Sequence, residues 1–382
     1  MHVFISAGEP SGDLHGANLV RALKARHPGI VITGFGGPKM EAAGASLLFR
    51  LTDLAVMFVG KVFTHLKTFF RLAKQADEHF KTERPDAVVL IDYPGFNFQL
   101  AKRAHAAGVP VYFFVPPQLW AWAGWRVKKV RRWFTGVLTA LPFEEKWYRE
   151  RGVNTRYVGH PYFDELAAQK LDEEFLAEQR AKPGRVVALL PGSRNQEVAK
   201  NFKFMLLAAK RVHAGRPDAR FLVASFNDAQ RAAAEAMATG MGLPIEFHVG
   251  RTPEVIELAE ACVSVSGSVS LELMYRLKPA VIVYKVGKVF GLVFWWVMLA
   301  VNYITLVNLL ADDDVFPEYA TILDRSESIA AHVLTWLNDP TALAARVARL
   351  RAIKDDIARP GACDRAAAFL VESIAASAKA AA

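Results

Sequence analysis

The sequence has few of the residues that build metal centres or disulfide frameworks. Its 382 residues include two cysteines, Cys262 and Cys363, and ten scattered histidines without HxxxH spacing or a DxD pattern at a strand end. Two cysteines exclude a CxxC zinc site and a disulfide-stapled domain. We therefore expect no metal and no other cofactor, and a reducing compartment.

The N-terminus lacks the features of a secretion signal. Residues 1–7, MHVFISA, contain no Lys or Arg and are followed directly by the polar stretch GEPSGD. A signal peptide needs a basic start and a longer apolar run. We interpret residues 2–7 as a buried first strand and expect a cytoplasmic protein.

An excess of acidic residues is also absent. Lys plus Arg is 47 against 38 for Asp plus Glu, which gives a net charge of +9, and 52% of the residues are apolar. This composition excludes a disordered chain. Together with 25 Phe, 9 Tyr and 8 Trp, the charge favours an anionic partner: a nucleotide, a nucleic acid or an acidic membrane surface.

The alternation of short apolar runs with helical periodicity predicts an α/β fold. The chain is longer than the roughly 250–300 residues that one core supports, so we expect two doubly wound, Rossmann-like domains at 1–165 and 183–340. We expect helices at 341–382 that pack back on the first domain. Strands are predicted at 2–7, 31–35, 86–91, 110–115, 136–140 and 155–158, and again at 186–190, 220–224, 245–248, 262–265 and 280–284. Ligands of such folds bind at the carboxyl ends of the strands.

Two loops of the first domain carry candidate site residues. The first strand leads into Gly8, Glu9, Ser11 and Gly12, where glycines allow close approach to a ligand; alternatively, Ser11 or Asp13 only caps the next helix. Asp92 follows the strand at 86–91. A carboxylate there can take a proton from an alcohol, although a helix cap or a solvated turn is the alternative interpretation.

Two loops of the second domain are typical of phosphate binding. Gly192, Ser193, Arg194 and Glu197 follow one strand and open a helix. Backbone N–H groups, a hydroxyl and a guanidinium suit a diphosphate. For Glu197 the alternative is a purely structural role, in which an acidic residue in the first turn stabilises the helix through its dipole. A second loop contains Ser266, Gly267, Ser268, Ser270 and Glu272. The two loops together predict a bound nucleotide diphosphate, with Glu272 on the ribose.

Two aromatic segments have the composition of a membrane-interface helix. The apolar run 289–311 contains Phe294, Trp295 and Trp296, and the segment 56–71 places Phe58, Phe63 and Phe69 among basic residues. We expect these side chains to contact a membrane; a buried core helix or a membrane span is the alternative for 289–311. The basic stretch 122–133 faces a membrane, a phosphate or solvent. Confined to one helix, it has no recognised nucleic-acid module, so we expect no nucleic acid.

Ten short motifs, in order along the chain, resemble the lipid-A-disaccharide synthase family. They are AGEPSGD (7–13), GFGGPKM (34–40), LAVMFVGKV (54–62), IDYPGFN (91–97), PPQLWAW (116–122), LPFEEKWY (141–148), VGHPYFDE (158–165), LLPGSRNQEV (189–198), SGSVSLELM (266–274) and VNLLA (307–311). The resemblance implies a metal-independent GT-B glycosyltransferase with two domains facing across a cleft. It also implies inverting transfer from UDP-2,3-diacylglucosamine to 2,3-diacylglucosamine 1-phosphate (lipid X), which forms a β-1′,6 bond and releases UDP.

The resemblance also assigns roles and partners. It implies that Asp92 is the base for the acceptor 6-hydroxyl, that the 8–12 loop shapes the acceptor end, that the 192–197 and 266–272 loops hold UDP, and that Asn308 lies near the nucleotide. The expected partners are the two lipid substrates and the cytoplasmic face of the inner membrane, for a peripheral monomer or homodimer. Departures from the family pattern at Tyr93, Gly95 and Pro117 concern acceptor or acyl-chain specificity. The alternatives are a different UDP-sugar GT-B enzyme or epimerase, and a catalytically silent membrane-associated binding protein.

Overall fold

Two compact units make up the part of the chain that the structure, a computed structural model, describes: residues 1–57, 66–285 and 303–381. The first unit consists of Met1–Ala167 together with Arg359–Ala382, and the second of Ala168–Ala358. Each unit is built around one parallel sheet with helices packed on it.

The first unit contains a seven-stranded sheet in the order β3-β2-β1-β4-β5-β6-β7. The strands are β1 His2–Ala7, β2 Val31–Gly36, β3 Ser46–Arg50, β4 Ala87–Ile91, β5 Val111–Phe114, β6 Gly136–Thr139 and β7 Thr155–Tyr157. The helices are α1 Pro10–Arg26, α2 Pro38–Ala42, α3 Leu51–Met57, α4 Leu66–Thr82, α5 Pro94–Ala106, α6 Leu119–Trp122, α7 Val127–Trp133, α8 Pro142–Arg149 and α9 Tyr162–Ala168.

The second unit contains a six-stranded sheet in the order β10-β9-β8-β11-β12-β13. Its strands are β8 Arg185–Leu190, β9 Ala219–Ser225, β10 Ile245–Val249, β11 Ala261–Ser264, β12 Ala280–Lys285 and β13 Glu318–Thr321. Its helices are α10 Glu173–Ala181, α11 Asn195–Gly215, α12 Asp228–Ala238, α13 Thr252–Leu258, α14 Val269–Tyr275, α15 Leu306–Ala311, α16 Ser326–Asn338 and α17 Pro340–Ile357. The last described helix, α18 Ala362–Ala381, belongs to the first unit.

The central strands are largely apolar because helices cover both faces of each sheet. All five residues of β4 and all seven of β9 are buried. Two clusters of buried side chains pack in the first unit, one containing α1 and α18 residues and the other α4 and α5 residues, and a third fills the second unit.

The strand orders determine where ligands have room to bind. In the first sheet the order reverses between β1 and β4, and in the second between β8 and β11. At such a switch point the chain leaves the two strands in opposite directions, which opens a crevice at their carboxyl ends. The 8–12 loop and Asp92 follow β1 and β4, and the 191–194 and 265–268 loops follow β8 and β11.

Several elements differ from the expectations. The edge strands β3 and β13 lie outside every predicted strand, and α1 begins at Pro10, so that Ser11 and Gly12 lie in its first turn. The helices of the tail 341–382, expected to pack back on the first domain, are divided between the units: α17 packs on α14 and α16 of the second unit, and α18 packs on α1 of the first.

Candidate functional site

Asp92 lies in a strained turn between β4 and α5. Asp92 and Tyr93 have φ angles of 42° and 47°, a left-handed conformation that side chains other than glycine rarely adopt. Asn97 holds the turn: its Nδ2 donates to the carbonyls of Ile91 (3.1 Å) and Asp92 (2.8 Å). Its Oδ1 accepts from Ser6 Oγ at 2.8 Å, which ties the turn to β1. Such strain, held by surrounding contacts, is common at functional sites.

The surroundings of Asp92 make its carboxylate a stronger base. Burial raises its pKa to about 6, the negative charge of Glu9 adds to the rise, and a hydrogen bond from the Tyr93 backbone opposes it. At neutral pH the carboxylate is therefore ionised and has a higher proton affinity than an exposed Asp.

Position 8 must be glycine because the ring of Tyr93 lies against its backbone. A Cβ atom placed on Gly8 would lie 2.2 Å from Cδ1 of the Tyr93 ring, so no larger residue fits without moving the ring. Tyr93 is half-buried, and this burial together with Glu9 raises the pKa of its hydroxyl. The aromatic ring thus lies directly on the backbone of the 8–12 loop.

The residues at the start of α1 differ in their environments: Ser11 is exposed to solvent, whereas Asp13 is buried and hydrogen-bonded to the start of α2. Glu9 occupies the N-cap position without a side-chain cap hydrogen bond, and Ser11 is exposed. Asp13 is buried and accepts hydrogen bonds from the amides of Gly37 (2.8 Å), Lys39 (3.0 Å) and Met40 (3.0 Å). Asp13 therefore caps α2, and it joins the AGEPSGD and GFGGPKM motifs.

The loop after β8 presents Ser193 and Arg194 to solvent. Gly192 has a φ of 112°, and a Cβ there would lie 2.5 Å from Oε2 of Glu197. Glu197 folds back to accept from the Arg194 amide (3.3 Å) and from its Nη1 (2.9 Å). The guanidinium of Arg194 is thus held at the start of α11 with 59% of the side chain exposed, available to an anion.

Gln230 supports this loop, and the sequence patterns did not indicate it. Its buried Nε2 donates to the Ser193 carbonyl (2.8 Å) and to Asn195 Oδ1 (3.1 Å), and its Oε1 accepts from the Phe226 amide (3.2 Å). In the sequence, nothing near this glutamine in the helical pattern of α12 indicates that it supports a loop. Its role depends on the packing of β8 beside β9.

The loop after β11 is partly exposed and partly committed to internal contacts. Gly267 and Ser268 are exposed, whereas Ser270 is buried with its Oγ donating to the Gly267 carbonyl at 2.8 Å. Glu272 is buried and accepts from Arg276 Nε at 3.0 Å. Ser266 is partly buried and lies 3.5 Å from the Ile304 carbonyl. The fully exposed residues of this loop are therefore Gly267 and Ser268.

Asn308 has a structural environment. It is fully buried, its Nδ2 donates to the Phe316 carbonyl (2.7 Å) and its Oδ1 accepts from the Phe316 amide (2.8 Å). Both polar atoms of the side chain are thus used to fold the 308–316 segment. Its backbone N–H donates to Thr305 Oγ1 at 3.3 Å and its carbonyl accepts from the Asp313 amide at 3.3 Å, so the expected contact of Asn308 with a nucleotide is not seen in this environment.

Most of the expected membrane contacts lie outside the described residues, namely Phe58, Phe63, Phe294, Trp295 and Trp296. The side chain of Phe69 packs inward, with ring centroids 5.5 Å from Phe96 and 6.4 Å from Tyr93. Its neighbour Phe70 is 68% exposed. The outward aromatic residue of α4 is therefore Phe70.

A surface of tryptophan and basic side chains lies at α6 and α7; we call it the Trp–Arg surface. It consists of Trp122, Trp125, Arg126, Lys129 and Trp133. The Arg126 guanidinium lies 4.8 Å from the Trp122 ring and 5.1 Å from the Trp125 ring, and Lys129 lies over Trp125 and Trp133 at 5.7 and 5.9 Å. Trp125 is 61% exposed. Such pairs are stabilised by cation–π attraction while they remain at the surface.

Among residues 1–57, 66–285 and 303–381, no three His, Cys, Asp or Glu side chains are grouped to hold a metal ion. Within the same residues, no helix has the length and apolar character needed to cross a membrane.

Comparison with known sequences matches residues 3–370 to the family described as Lipid-A-disaccharide synthetase. Lipid-A-disaccharide synthase of Thiobacillus denitrificans is 36% identical over 364 residues, 95% of this chain and 97% of that protein. The corresponding proteins of Myxococcus xanthus and Pseudomonas entomophila are 37% and 36% identical, over 87% and 88% of this chain and 86% and 90% of their own lengths.

Solved structures with the same fold include epimerases and glycosyltransferases. A putative UDP-N-acetylglucosamine 2-epimerase from Listeria monocytogenes superposes with a TM-score of 0.67 at 13% identity, covering 99% of this chain and 96% of its own. MurG of Acinetobacter baumannii superposes with a TM-score of 0.61 at 14% identity, covering 97% and 99%. The architecture of two parallel α/β sheets is thus that of GT-B glycosyltransferases and related epimerases.

Proposed function

The chain belongs to the lipid-A-disaccharide synthase family, the glycosyltransferases of lipid A biosynthesis, and we propose that Asp92 is its catalytic base. The donor is UDP-2,3-diacylglucosamine and the acceptor is 2,3-diacylglucosamine 1-phosphate. The observation that carries the proposal is the position of Asp92 at the switch point of the first sheet, in a strained turn, where burial and the charge of Glu9 raise its pKa to about 6.

The reaction is a single displacement. Asp92 accepts the proton of the acceptor 6-hydroxyl, the oxygen forms a bond to the anomeric carbon, and the bond from that carbon to the UDP oxygen breaks. Because attack and departure occur on opposite faces, the configuration inverts. The electron pair leaves with UDP, whose negative charge is met by Arg194 and the amides of the 192–195 loop. No step requires a metal.

The second unit supplies the nucleotide site of this proposal. Arg194 and Ser193 are exposed at the start of α11, and Gly267 with Ser268 is exposed after the neighbouring strand β11. A guanidinium and backbone amides at the start of a helix suit a diphosphate. To bind the phosphates, the Arg194 guanidinium gives up its contact with Glu197. Its exposure to solvent leaves room for this movement.

The test of this function is an assay with purified protein, both lipid substrates and detection of disaccharide and UDP. Asp92→Asn should lower kcat by about 100-fold or more, since a positioned base contributes about 10²–10⁴-fold. The matched control is Asp86→Asn, which alters an exposed carboxylate at the amino end of the same strand, bonded to the His2 amide, and should retain activity.

Two results would contradict the assignment. Absence of disaccharide from the wild-type protein, or epimerisation of UDP-N-acetylglucosamine in its place, would reject the transferase function. Full turnover by Asp92→Asn would leave the function intact and reject the role of Asp92.

We also propose that the protein works peripherally at the cytoplasmic face of the inner membrane, where both lipid substrates are presented. The Trp–Arg surface and the exposed Phe70 support this assignment. Tryptophan is favoured at the membrane interface, and basic side chains are attracted to anionic lipids. Lys128, Arg131 and Arg132 add exposed positive charge to the same helix.

Vesicle sedimentation tests the membrane contact. Trp125→Glu should weaken binding to vesicles containing phosphatidylglycerol several-fold, and 0.5 M salt should weaken wild-type binding as well, because salt screens the charges. Ile322→Glu alters a comparably exposed apolar residue, 54% exposed, in the second unit; it should bind as the wild type does. Equal binding by all three proteins would contradict the proposal.

A further inference from the structure

Glu144 is a buried carboxyl group that the proposed transfer reaction does not use. It lies in α8 and is 2% exposed. It accepts hydrogen bonds from the amides of Leu141 (3.1 Å) and Ala140 (3.3 Å), which form the cap of α8. A third donor, Trp120 Nε1 at 3.1 Å, comes from a different part of the chain.

The Trp120 side chain belongs to the segment that follows β5, residues 115–122. Pro116 and Pro117 have no amide N–H, so this part of the loop has fewer backbone donors to hold it. Its contacts with α8 are made by side chains. Tyr148 Oη lies 3.5 Å from the Pro117 carbonyl, and the Trp120 ring packs edge-to-face on Phe143 at 4.9 Å.

The same segment contacts the turn that holds the catalytic base. Val115 has a φ of 52°, an unusual conformation for a β-branched residue. Its amide donates to the Leu138 carbonyl at 3.2 Å, and its carbonyl accepts from the Asp92 amide at 3.3 Å. A continuous series of contacts therefore runs from α8 through the loop to Asp92.

We propose that Glu144 and Trp120 are positioning residues: their hydrogen bond clamps the 115–122 segment beside Asp92 and so shapes the acceptor site. The inference rests on the proposed function of Asp92. Neither side chain needs to touch the substrate. Their effect reaches the reaction through the position of the loop and of the Asp92 turn, and misplacement of such a group by about 1 Å reduces rates strongly.

The clamp predicts a loss that is specific for the acceptor. Trp120→Phe removes the indole N–H while keeping an aromatic ring, and should raise the KM for the acceptor and lower kcat, with kcat/KM for the acceptor reduced about tenfold or more. The KM for the UDP-sugar should stay within about twofold, because the nucleotide loops belong to the second unit.

Two further variants separate this role from general stability. Trp147→Phe on α8 is the matched control; its ring is stacked by Arg151 at 4.2 Å, and the variant should behave as the wild type. Glu144→Gln keeps an acceptor oxygen for the indole and should lose less activity than Glu144→Ala. Wild-type kinetics in Trp120→Phe, or an equal loss toward both substrates, would overturn the proposal.

Hydrogen exchange provides a readout that does not depend on turnover. The amides of Asp92 and Leu119 should exchange faster in Trp120→Phe than in the wild type and in Trp147→Phe. Unchanged exchange at these amides would overturn the clamp. If the wild type makes no disaccharide but the exchange rates change as expected, the proposed function fails while the structural clamp stands.

Discussion

Asp92 illustrates how a single residue acquires reactivity from its neighbours. Its amide donates to Val115, its carbonyl accepts from Asn97, and its carboxylate lies near Glu9. The three partners lie in different parts of the unit: Val115 after β5, Asn97 in α5 and Glu9 after β1. The left-handed backbone and the raised pKa are both consequences of this surrounding structure, not of the residue type.

The raised pKa of Asp92 predicts the acidic limb of the pH–rate profile. The proposed base acts as a carboxylate, so kcat/KM for the acceptor should fall below a pH of about 6, approaching tenfold per pH unit. Glu9→Gln removes a negative charge that raises the pKa, and should move this midpoint to lower pH. Glu41→Gln, which alters an exposed partner of Arg50, should leave it unchanged. An unshifted midpoint in Glu9→Gln would contradict the coupling.

Glu144 predicts a pH dependence of stability. Burial raises its pKa from 4.5 to about 7 in spite of hydrogen bonds from Trp120, Leu141 and Ala140. Between these values the folded protein retains a proton that the unfolded chain releases, so this group lowers the free energy of unfolding as pH rises from 4.5 to 7. The full effect is about 3 kcal/mol. Tyr148 is the titratable neighbour, and its pKa is raised well above its usual value.

Glu144→Gln should therefore show a smaller decline of unfolding free energy between pH 5 and pH 7.5 than the wild type. Urea denaturation at the two pH values measures it, and the difference between the two proteins isolates this carboxyl from other titrating groups. Parallel pH profiles for both proteins would contradict the prediction.

At the scale of elements, two helices depend on acidic side chains from distant positions. Asp13 of α1 caps α2, and Asp164 of α9 accepts from the amides of Gly361, Ala362 (3.1 Å) and Cys363 (2.9 Å) at the start of α18. Free amides at a helix start need such partners. The carboxylate of Asp164 thus fastens the C-terminal helix to the first unit.

Asp164→Ala should lower the unfolding free energy of the first unit by about 1–2 kcal/mol, the usual effect of losing a helix cap. It should also speed proteolysis within α18. Asp364→Ala is the control, because its pair with Arg26 is exposed, with side chains 60% and 39% accessible, and such pairs contribute less than about 1 kcal/mol. An equal effect of both substitutions would contradict the capping role.

Hydrogen bonds from Gln230 join α12 to the 193–195 loop. Gln230→Ala leaves the Ser193 carbonyl without its donor and should weaken UDP binding about tenfold in calorimetric titration. Glu235→Ala alters an outward residue of the same helix, which pairs with Arg231 at 2.9 Å, and should bind UDP normally. Wild-type affinity in Gln230→Ala would show that the loop keeps its shape unaided.

At the scale of the whole molecule, the chain builds two doubly wound units, for which we propose different tasks. The proposed base lies in the first unit, and the proposed nucleotide loops lie in the second. Hydrogen exchange should therefore show UDP protecting amides of 191–198 and 265–272, and the acceptor lipid protecting those of 8–13 and 92–97. Protection of the 92–97 segment alone by UDP would contradict this division.

The elements that the sequence predicts well are those with strong local patterns. Residues 88–91 and 111–115 are continuous apolar runs, and buried strands form there at Ala87–Ile91 and Val111–Phe114. The glycine-containing loops at 8–12, 192–194 and 266–268 follow strands as expected. The short edge strands β3 and β13 lack such a pattern, because they are only partly buried. The two-way division of the helical tail depends on the caps and partners of α17 and α18.

By itself, the sequence determined the α/β class, the two repeated sheets and the position of Asp92 and Arg194 at strand ends, since apolar periodicity and loop residues are local properties. Only the tertiary structure decided which partners the polar side chains meet. It placed Asp13 on α2, Asn308 on Phe316, Gln230 on the Ser193 loop and Glu144 on Trp120. These contacts join residues that lie far apart in the chain or in separate elements, and their energies depend on burial that exists only after the sheets and helices have packed.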